Sequence, residues 1–430
     1  MLLNTFFLLM ALLALALPVA ATMGVLGLAL DRMYSSLPLY KASGQMFWST
    51  SNDFIMVAIP MFVLLGEIVL RSGIAERMYN ALQKWLGWLP GGLMHVNIAA
   101  SAGFAATSGS SVATAATIGT VAIPQGERNG YSQPLFLGTL AAGGTLGILI
   151  PPSINMIVYC MLTDNSVAAL YLAGFIPGFM LAAIFSLIVI VVCLARPRWG
   201  ASTAVLEASN WAERVRSLGE LLPPLLIFLV VVGSIYAGLA TPTEAAAVGV
   251  VFTLGLAWYY RALSWRMLFE ALEGTMRTSA VVILIMLAAY FLNFVLVSVG
   301  LTDILTSTIQ GLGWSPMQTF GAIVLFYLVL GCFLDTLSMM VTTVPITTAV
   351  MVQLGFDPVW YGVVVMILLE MAMITPPVGI NLYVIQGVRR KGSLNDVILG
   401  SLPFVASMFL MLILLAAFPG IATWLPRQFY

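Results

Sequence analysis

Two segments of this chain carry groups that could bind an ion or an anion without any charged side chain. The first is Gly147-Ile148-Leu149-Ile150-Pro151-Pro152-Ser153-Ile154-Asn155, and the second is Thr375-Pro376-Pro377-Val378-Gly379-Ile380-Asn381. Their Pro-Pro pairs lie 225 residues apart, each within a long uncharged stretch. Adjacent prolines remove two helical N–H donors and clash with the preceding turn, so each segment must interrupt a helix. An interruption exposes carbonyls at one half-helix end and N–H groups at the other. Carbonyls with Ser or Thr hydroxyls suit a small hard cation such as Na⁺, and the positive N–H end suits a carboxylate. Neither segment contains Lys or Arg. Anion binding here would rest on dipoles, hydroxyls, Asn155 or Asn381, and bound Na⁺.

The elements that hold these segments are membrane spans. Of 430 residues, 61% are hydrophobic and 8% charged, and mean hydropathy is +1.04. Soluble domains carry about three times that share of charge. Many uncharged runs reach the roughly 20 residues that cross a hydrocarbon core. Broken backbone at mid-depth persists only against protein or a water-lined cavity. Broken spans in corresponding places of two halves point to a transporter's binding site. The net charge of zero gives no bulk attraction to nucleic acid. One histidine, His95, and three cysteines, Cys160, Cys193 and Cys332, have no metal-ligand spacing, which leaves no zinc or haem site. Val19-Ala20-Ala21 resembles a signal-peptide cleavage site, but no Lys or Arg precedes Arg32. Residues 1–30 therefore read as retained membrane segment, either one span or two hinged at Pro18.

The 225-residue offset recurs. Ser72-Gly73-Ile74-Ala75 pairs with Val299-Gly300-Leu301-Thr302, Gly174-Phe175-Ile176-Pro177 with Gly400-Ser401-Leu402-Pro403, and Gly24 with Gly249. The order of these pairs indicates a duplication. Residues 1–195 form one repeat and 221–430 the other, with a cytoplasmic linker at 196–220. Tracing outward from that linker leaves 14 of 17 basic residues on the cytoplasmic side, as the positive-inside rule requires. Segment 92–124 then becomes a re-entrant hairpin from the cytoplasm, followed by a broken helix at 129–163. Segment 315–353 becomes the opposite hairpin, followed by a broken helix at 358–388. The expected fold is all-α and polytopic, built from two inverted repeats.

The first hairpin turns at Thr107-Ser108-Gly109-Ser110-Ser111, and the offset places Phe333-Leu334-Asp335-Thr336 at the second tip. Small residues at the first tip also suit plain helix packing, but their pairing with a broken span favours function. Asp335 at the second tip is expected in an ion or tip network. Glu67 and Glu370 are each expected to be helix–helix polar clamps, with a proton site as the alternative. Thr241-Pro242-Thr243-Glu244 reads as a capping box, and His95 as structural.

The chain resembles, over nearly its full length, the large membrane subunit of tripartite ATP-independent periplasmic (TRAP) transporters. The resemblance rests on Ala58-Ile59-Pro60-Met61-Phe62, Leu89-Pro90-Gly91-Gly92, Ser108-Gly109-Ser110-Ser111 and Ala142-Gly143-Gly144-Thr145-Leu146-Gly147. It continues through Ile150-Pro151-Pro152-Ser153, Thr241-Pro242-Thr243-Glu244-Ala245-Ala246, Gly331-Cys332-Phe333-Leu334-Asp335 and Thr375-Pro376-Pro377-Val378-Gly379. It implies a multi-pass protein of the bacterial inner membrane and no enzyme. It implies Na⁺-coupled import of an organic acid, such as a C4-dicarboxylate, a sialic acid or another sugar acid, by an elevator motion. The implied partners are a periplasmic solute-binding protein and a separate small four-helix membrane subunit. The implied ion and substrate residues are Ser108, Gly109, Ser110, Ser111, Gly147, Pro151, Pro152, Ser153, Asn155, Asp335, Thr336, Thr375, Pro376, Pro377, Gly379 and Asn381. Na⁺ is expected at Ser108, Ser110, Gly147, Asp335, Thr336 and Thr375, as coupling ion and with no cofactor.

Two rivals differ in class. A Na⁺/carboxylate carrier of the same superfamily would work without a binding protein. An intramembrane hydrolase would need a nucleophile with a base, or clustered metal ligands, and neither pattern is present.

Overall fold

Helix is the only regular backbone in the computed structural model, which describes residues 1–15, 17–200 and 210–429. Lipid offers no partner for N–H and C=O groups, so spans satisfy them within themselves. The centre of the 196–220 linker lies outside the described residues. Among the described residues, six helices are long and apolar enough to cross a membrane, or seven if one bent pair counts as a span.

Residues 1–30 resolve into two helices, Leu2–Ala14 and Val19–Tyr34, with Pro18 capping the second. Pro18 lacks the N–H that a continuing helix would need.

Four helices form one packed layer: Val19–Tyr34, Ala58–Arg71, Pro242–Tyr259 and Trp265–Ser298. The halves cross within it. Val19–Tyr34 packs on Trp265–Ser298, and Pro242–Tyr259 packs on Ala58–Arg71. Glycines permit both approaches, as small residues do where lipid gives helices no hydrophobic reason to associate. A Cβ on Gly27 would stand 2.9 Å from the Phe291 ring, and one on Gly249 would stand 2.5 Å from Leu65. The expected capping box at Thr241 and Glu244 is present.

Helix Ile74–Leu86 buries Ile74, Ala75, Met78, Tyr79 and Ala81 and leaves Glu76, Arg77 and Lys84 on its other side. That pattern suits a helix lying along the membrane surface. The Tyr79 hydroxyl donates to Asn97 Oδ1 at 2.7 Å, and Asn97 Nδ2 donates to the Thr139 hydroxyl at 3.0 Å. This chain of bonds ties the surface helix to the first hairpin and to the helix behind it. His95 Nε2 lies 2.8 Å from the Pro90 carbonyl at the hairpin base, in keeping with a structural role.

The second layer repeats one motif twice. A hairpin of Leu93–Ser108 and Ser111–Arg128 precedes a broken helix of Gln133–Leu149 and Ile154–Thr163. The hairpin's second arm runs through Pro124 to Arg128, past the expected end at 124. The second hairpin, Pro316–Gly331 and Thr336–Gln353, precedes a broken helix of Pro358–Ile374 and Ile380–Arg389. The first half-helices, Gln133–Leu149 and Pro358–Ile374, are buried along almost their whole lengths and pack against each other. Val167–Ala195 and Leu394–Ala417 flank them. Gly138 and Gly400 meet so closely that a Cβ on Gly138 would stand 2.0 Å from the Gly400 carbonyl oxygen. In the matching place of the other repeat, Gly362 abuts Leu170 and Tyr159.

Candidate ion and substrate site at the hairpin tips

At the first tip, Gly109 ends one arm with φ +61°, a left-handed conformation that glycine adopts without strain. Ser110 then caps the second arm, its hydroxyl accepting from the Ala113 amide at 3.4 Å. The Ser108 and Thr114 hydroxyls are 3.2 Å apart, and Thr114 also donates to the Ser110 carbonyl at 2.7 Å. The tip sits directly on the first break. A Cβ on Gly109 would stand 2.8 Å from the Pro152 carbonyl oxygen, and one on Gly147 would stand 2.9 Å from the Ser110 carbonyl carbon. Gly66 closes the other side, with its Cβ position 2.9 Å from the Ser108 carbonyl oxygen.

The first break bends the chain by 40°. Ile150 is extended and Ser153 takes an N-cap conformation without capping through its side chain. Its buried hydroxyl has no hydrogen-bond partner, while its carbonyl accepts from Tyr171 at 3.4 Å. Asn155 lies half-buried in the following turn. Both Pro-Pro bonds, 151–152 and 376–377, are cis.

Asn381, in the second broken helix, reaches into this first junction. Its buried amide nitrogen donates to the Ser111 hydroxyl at 2.9 Å and to the Ala141 carbonyl at 3.2 Å. Its amide oxygen is buried without a partner. Both halves of the chain therefore build the first junction.

The second tip repeats the plan with different chemistry. Asp335 caps Thr336–Gln353 through the Ser338 amide at 3.2 Å and also accepts from the Ser338 hydroxyl. Ser110 and Asp335, 225 residues apart, hold the same capping position in their hairpins. Asp335 is thus part of a local tip network. Thr336 is half-buried beside it. The Cys332 thiol lies 3.4 Å from the Pro376 carbonyl, joining this tip to its own break. At that break the Thr375 hydroxyl donates to the Met371 carbonyl at 2.7 Å, Gly379 has φ +39°, and Tyr383 donates to the Pro377 carbonyl at 3.1 Å.

Sequence reading missed four contributors. Thr114 and Ser338 follow the two cap residues by four and three positions, a helical spacing that could have flagged them. Cys332 and Gly66 carried no such signal. It also misjudged two carboxylates. Glu67 is ion-paired to Arg71 one turn along its own helix and not across to another, whereas both carboxyl oxygens of Glu370 are buried without a side-chain partner. Only the backbone of Leu149, at the end of Gln133–Leu149, approaches it among the described residues.

Among the described residues no cluster of His, Cys, Asp and Glu could hold a metal ion. The groups these junctions offer are carbonyl, hydroxyl and amide oxygens, the donor set that breaks in membrane helices supply.

The family model "Tripartite ATP-independent periplasmic transporter, DctM component" matches residues 6–421. A C4-dicarboxylate TRAP transporter large permease protein of Vibrio cholerae is 31% identical, covering 98% of this chain and 96% of that protein. A sialic acid TRAP large permease of the same organism is 31% identical over 96% of this chain and 95% of that protein. Among solved structures, the YdaH transporter of Alcanivorax borkumensis superposes with a TM-score of 0.64 at 16% identity, covering 99% of both chains. That likeness is one of fold. The chain belongs to the DctM-component family of TRAP transporters. It is a multi-pass inner-membrane transport protein and not an enzyme.

Proposed function

We propose that this chain moves an organic acid inward by Na⁺ symport, as the large membrane subunit of a three-component importer. Relatives are named for C4-dicarboxylate, sialic acid and isethionate transport, and an anionic small acid is the chemistry they share. A periplasmic binding protein delivers the substrate and a small membrane subunit packs against the chain. Residues 1–195 and 221–430 act as inverted repeats about the 196–220 linker. The hairpins and broken helices move as one elevator body against the layer built on Ala58–Arg71 and Trp265–Ser298.

One observation carries the reading. The first junction holds two buried, unpartnered oxygens, the Ser153 hydroxyl and the Asn381 amide oxygen, next to a tip of capped hydroxyls. A buried polar atom without a partner costs about 1–3 kcal/mol, and a bound Na⁺ or substrate removes that cost. Inward movement of each net positive charge gains about 2.3 kcal/mol per 100 mV, enough to accumulate an acid.

The test is uptake into proteoliposomes holding both membrane subunits, with the binding protein and labelled acid outside. Uptake should require Na⁺ outside and should stop when choline replaces it. Equal uptake in choline rejects Na⁺ coupling. Accumulation by this chain alone rejects the three-component reading in favour of an autonomous carrier.

A further inference from the structure

Glu370 lies in Pro358–Ile374, the buried first half of the second broken helix, and is 0% exposed. No side chain among the described residues hydrogen-bonds either carboxyl oxygen, and the backbone of Leu149 is the polar group that approaches it. Leu149 is the last residue of the first half of the other broken helix. Glu370 therefore sits where the two interrupted helices meet.

A bare carboxylate at such a place needs a counter-charge, and the surrounding helices supply none. Gln133–Leu149, Thr336–Gln353 and Gly420–Thr423 contain no ionisable side chain. Ile154–Thr163 offers only Tyr159 and Cys160, Val167–Ala195 only Tyr171 and Cys193, and Pro316–Gly331 only Tyr327. Tyr361 is the other ionisable group on the same helix. Ile380–Arg389 adds Tyr383 and Arg389, and Leu394–Ala417 adds Asp396, with Arg389 and Asp396 paired to each other at 2.9 Å. The ends of these elements add Asp164, Arg196, Asp335 and Arg390, and Asp357 caps the helix itself.

We propose that Glu370 is a third cation site, at which a monovalent cation, a proton or Na⁺, neutralises the carboxylate at the crossing of the broken helices. A proton would make it a carboxylic acid, able to donate to a helix-end carbonyl and to accept from an amide. Na⁺ would join it to the carbonyls left open where Gln133–Leu149 ends. In both cases the site travels with the broken helices. The Na⁺ alternative rests on the Na⁺ reading above, and the experiment keeps the two separable because it measures equilibrium binding and not transport.

The purified chain in nanodiscs is examined as wild type and as Glu370→Gln. Infrared difference spectra at neutral pH report protonated carboxyl groups, and ²²Na⁺ binding reports stoichiometry. A carboxylic-acid carbonyl band that disappears in Glu370→Gln identifies a proton. One fewer bound Na⁺ in the variant, with no such band in the wild type, identifies Na⁺. If the variant changes neither the spectrum in the carboxylic-acid region nor the Na⁺ stoichiometry, the site holds no cation and the proposal falls. Glu370→Asp guards against misfolding of the glutamine variant. It keeps the acid on a shorter arm, so a proton site should show a displaced band and not a missing one, and an unmoved band counts against Glu370.

Discussion

The Asn381 amide nitrogen lies 2.9 Å from the Ser111 hydroxyl, across 270 residues of sequence. This bond fixes the second broken helix to the tip of the first hairpin. The Asn381 amide oxygen, on the same amide, is buried without a partner. Coupling between the halves of the chain has a physical carrier here.

Asn381→Ala should therefore disable transport while leaving the fold in place. Two buried hydrogen bonds are lost, and the Ser111 hydroxyl is left without its donor. The loss amounts to about 1–3 kcal/mol, so uptake should fall by roughly five- to a hundredfold, since 1.4 kcal/mol is about a factor of ten. Initial uptake rates at saturating Na⁺ check this. A wild-type rate would remove Asn381 from the site.

Asp335 separates a cap from a ligand. Asn is as good a helix cap as Asp, whereas Ala costs about 1 kcal/mol. If capping through Ser338 is its whole role, Asp335→Asn should keep uptake and Na⁺ dependence near wild type, and Asp335→Ala should lower both stability and rate. A large rise in the Na⁺ concentration needed by Asp335→Asn alone would instead make the carboxylate charge part of an ion site.

The Gly138–Gly400 contact should tolerate no side chain. A Cβ on Gly400 would stand 1.7 Å from the Pro134 carbonyl oxygen, which is backbone and cannot swing aside. Overpacking of this kind costs about 1–3 kcal/mol or more. Gly400→Ala should lower the thermal midpoint in detergent by several degrees. Gly255→Ala, whose Cβ position meets nothing within 4 Å, should not.

The Pro-Pro breaks should be functional and not merely tolerated. Replacing Pro151 and Pro152 with Ala restores two N–H donors and gains roughly 3 kcal/mol of helix propensity at each site within a helix. The first broken helix can then continue and cover the carbonyls of its open end. The variant should insert and fold yet lose Na⁺-dependent uptake, and the Pro376 and Pro377 pair should behave alike. Transport at the wild-type rate with unchanged Na⁺ dependence in either double variant would sink the assignment of both breaks to coupling.

The sequence by itself determined the membrane character, the two broken helices and the register of the duplication. Each of these follows from local chemistry. Proline cannot donate, uncharged runs of span length partition into lipid, and a repeat offset read from Pro-Pro pairs placed Ser110 and Asp335 at equivalent hairpin tips, where the structure makes each a helix cap. Only the tertiary structure decided which oxygens converge. It brought Asn381 to the first tip and not to its own, closed Gly66 over Ser108, split residues 1–30 into two packed helices, and left Glu370 without the partner expected of a clamp. Each of those outcomes depends on how two inverted halves cross. A crossing is set by close backbone approach at glycines such as Gly138 and Gly400, and sequence spacing along one helix carries no record of which surface on another helix it will meet.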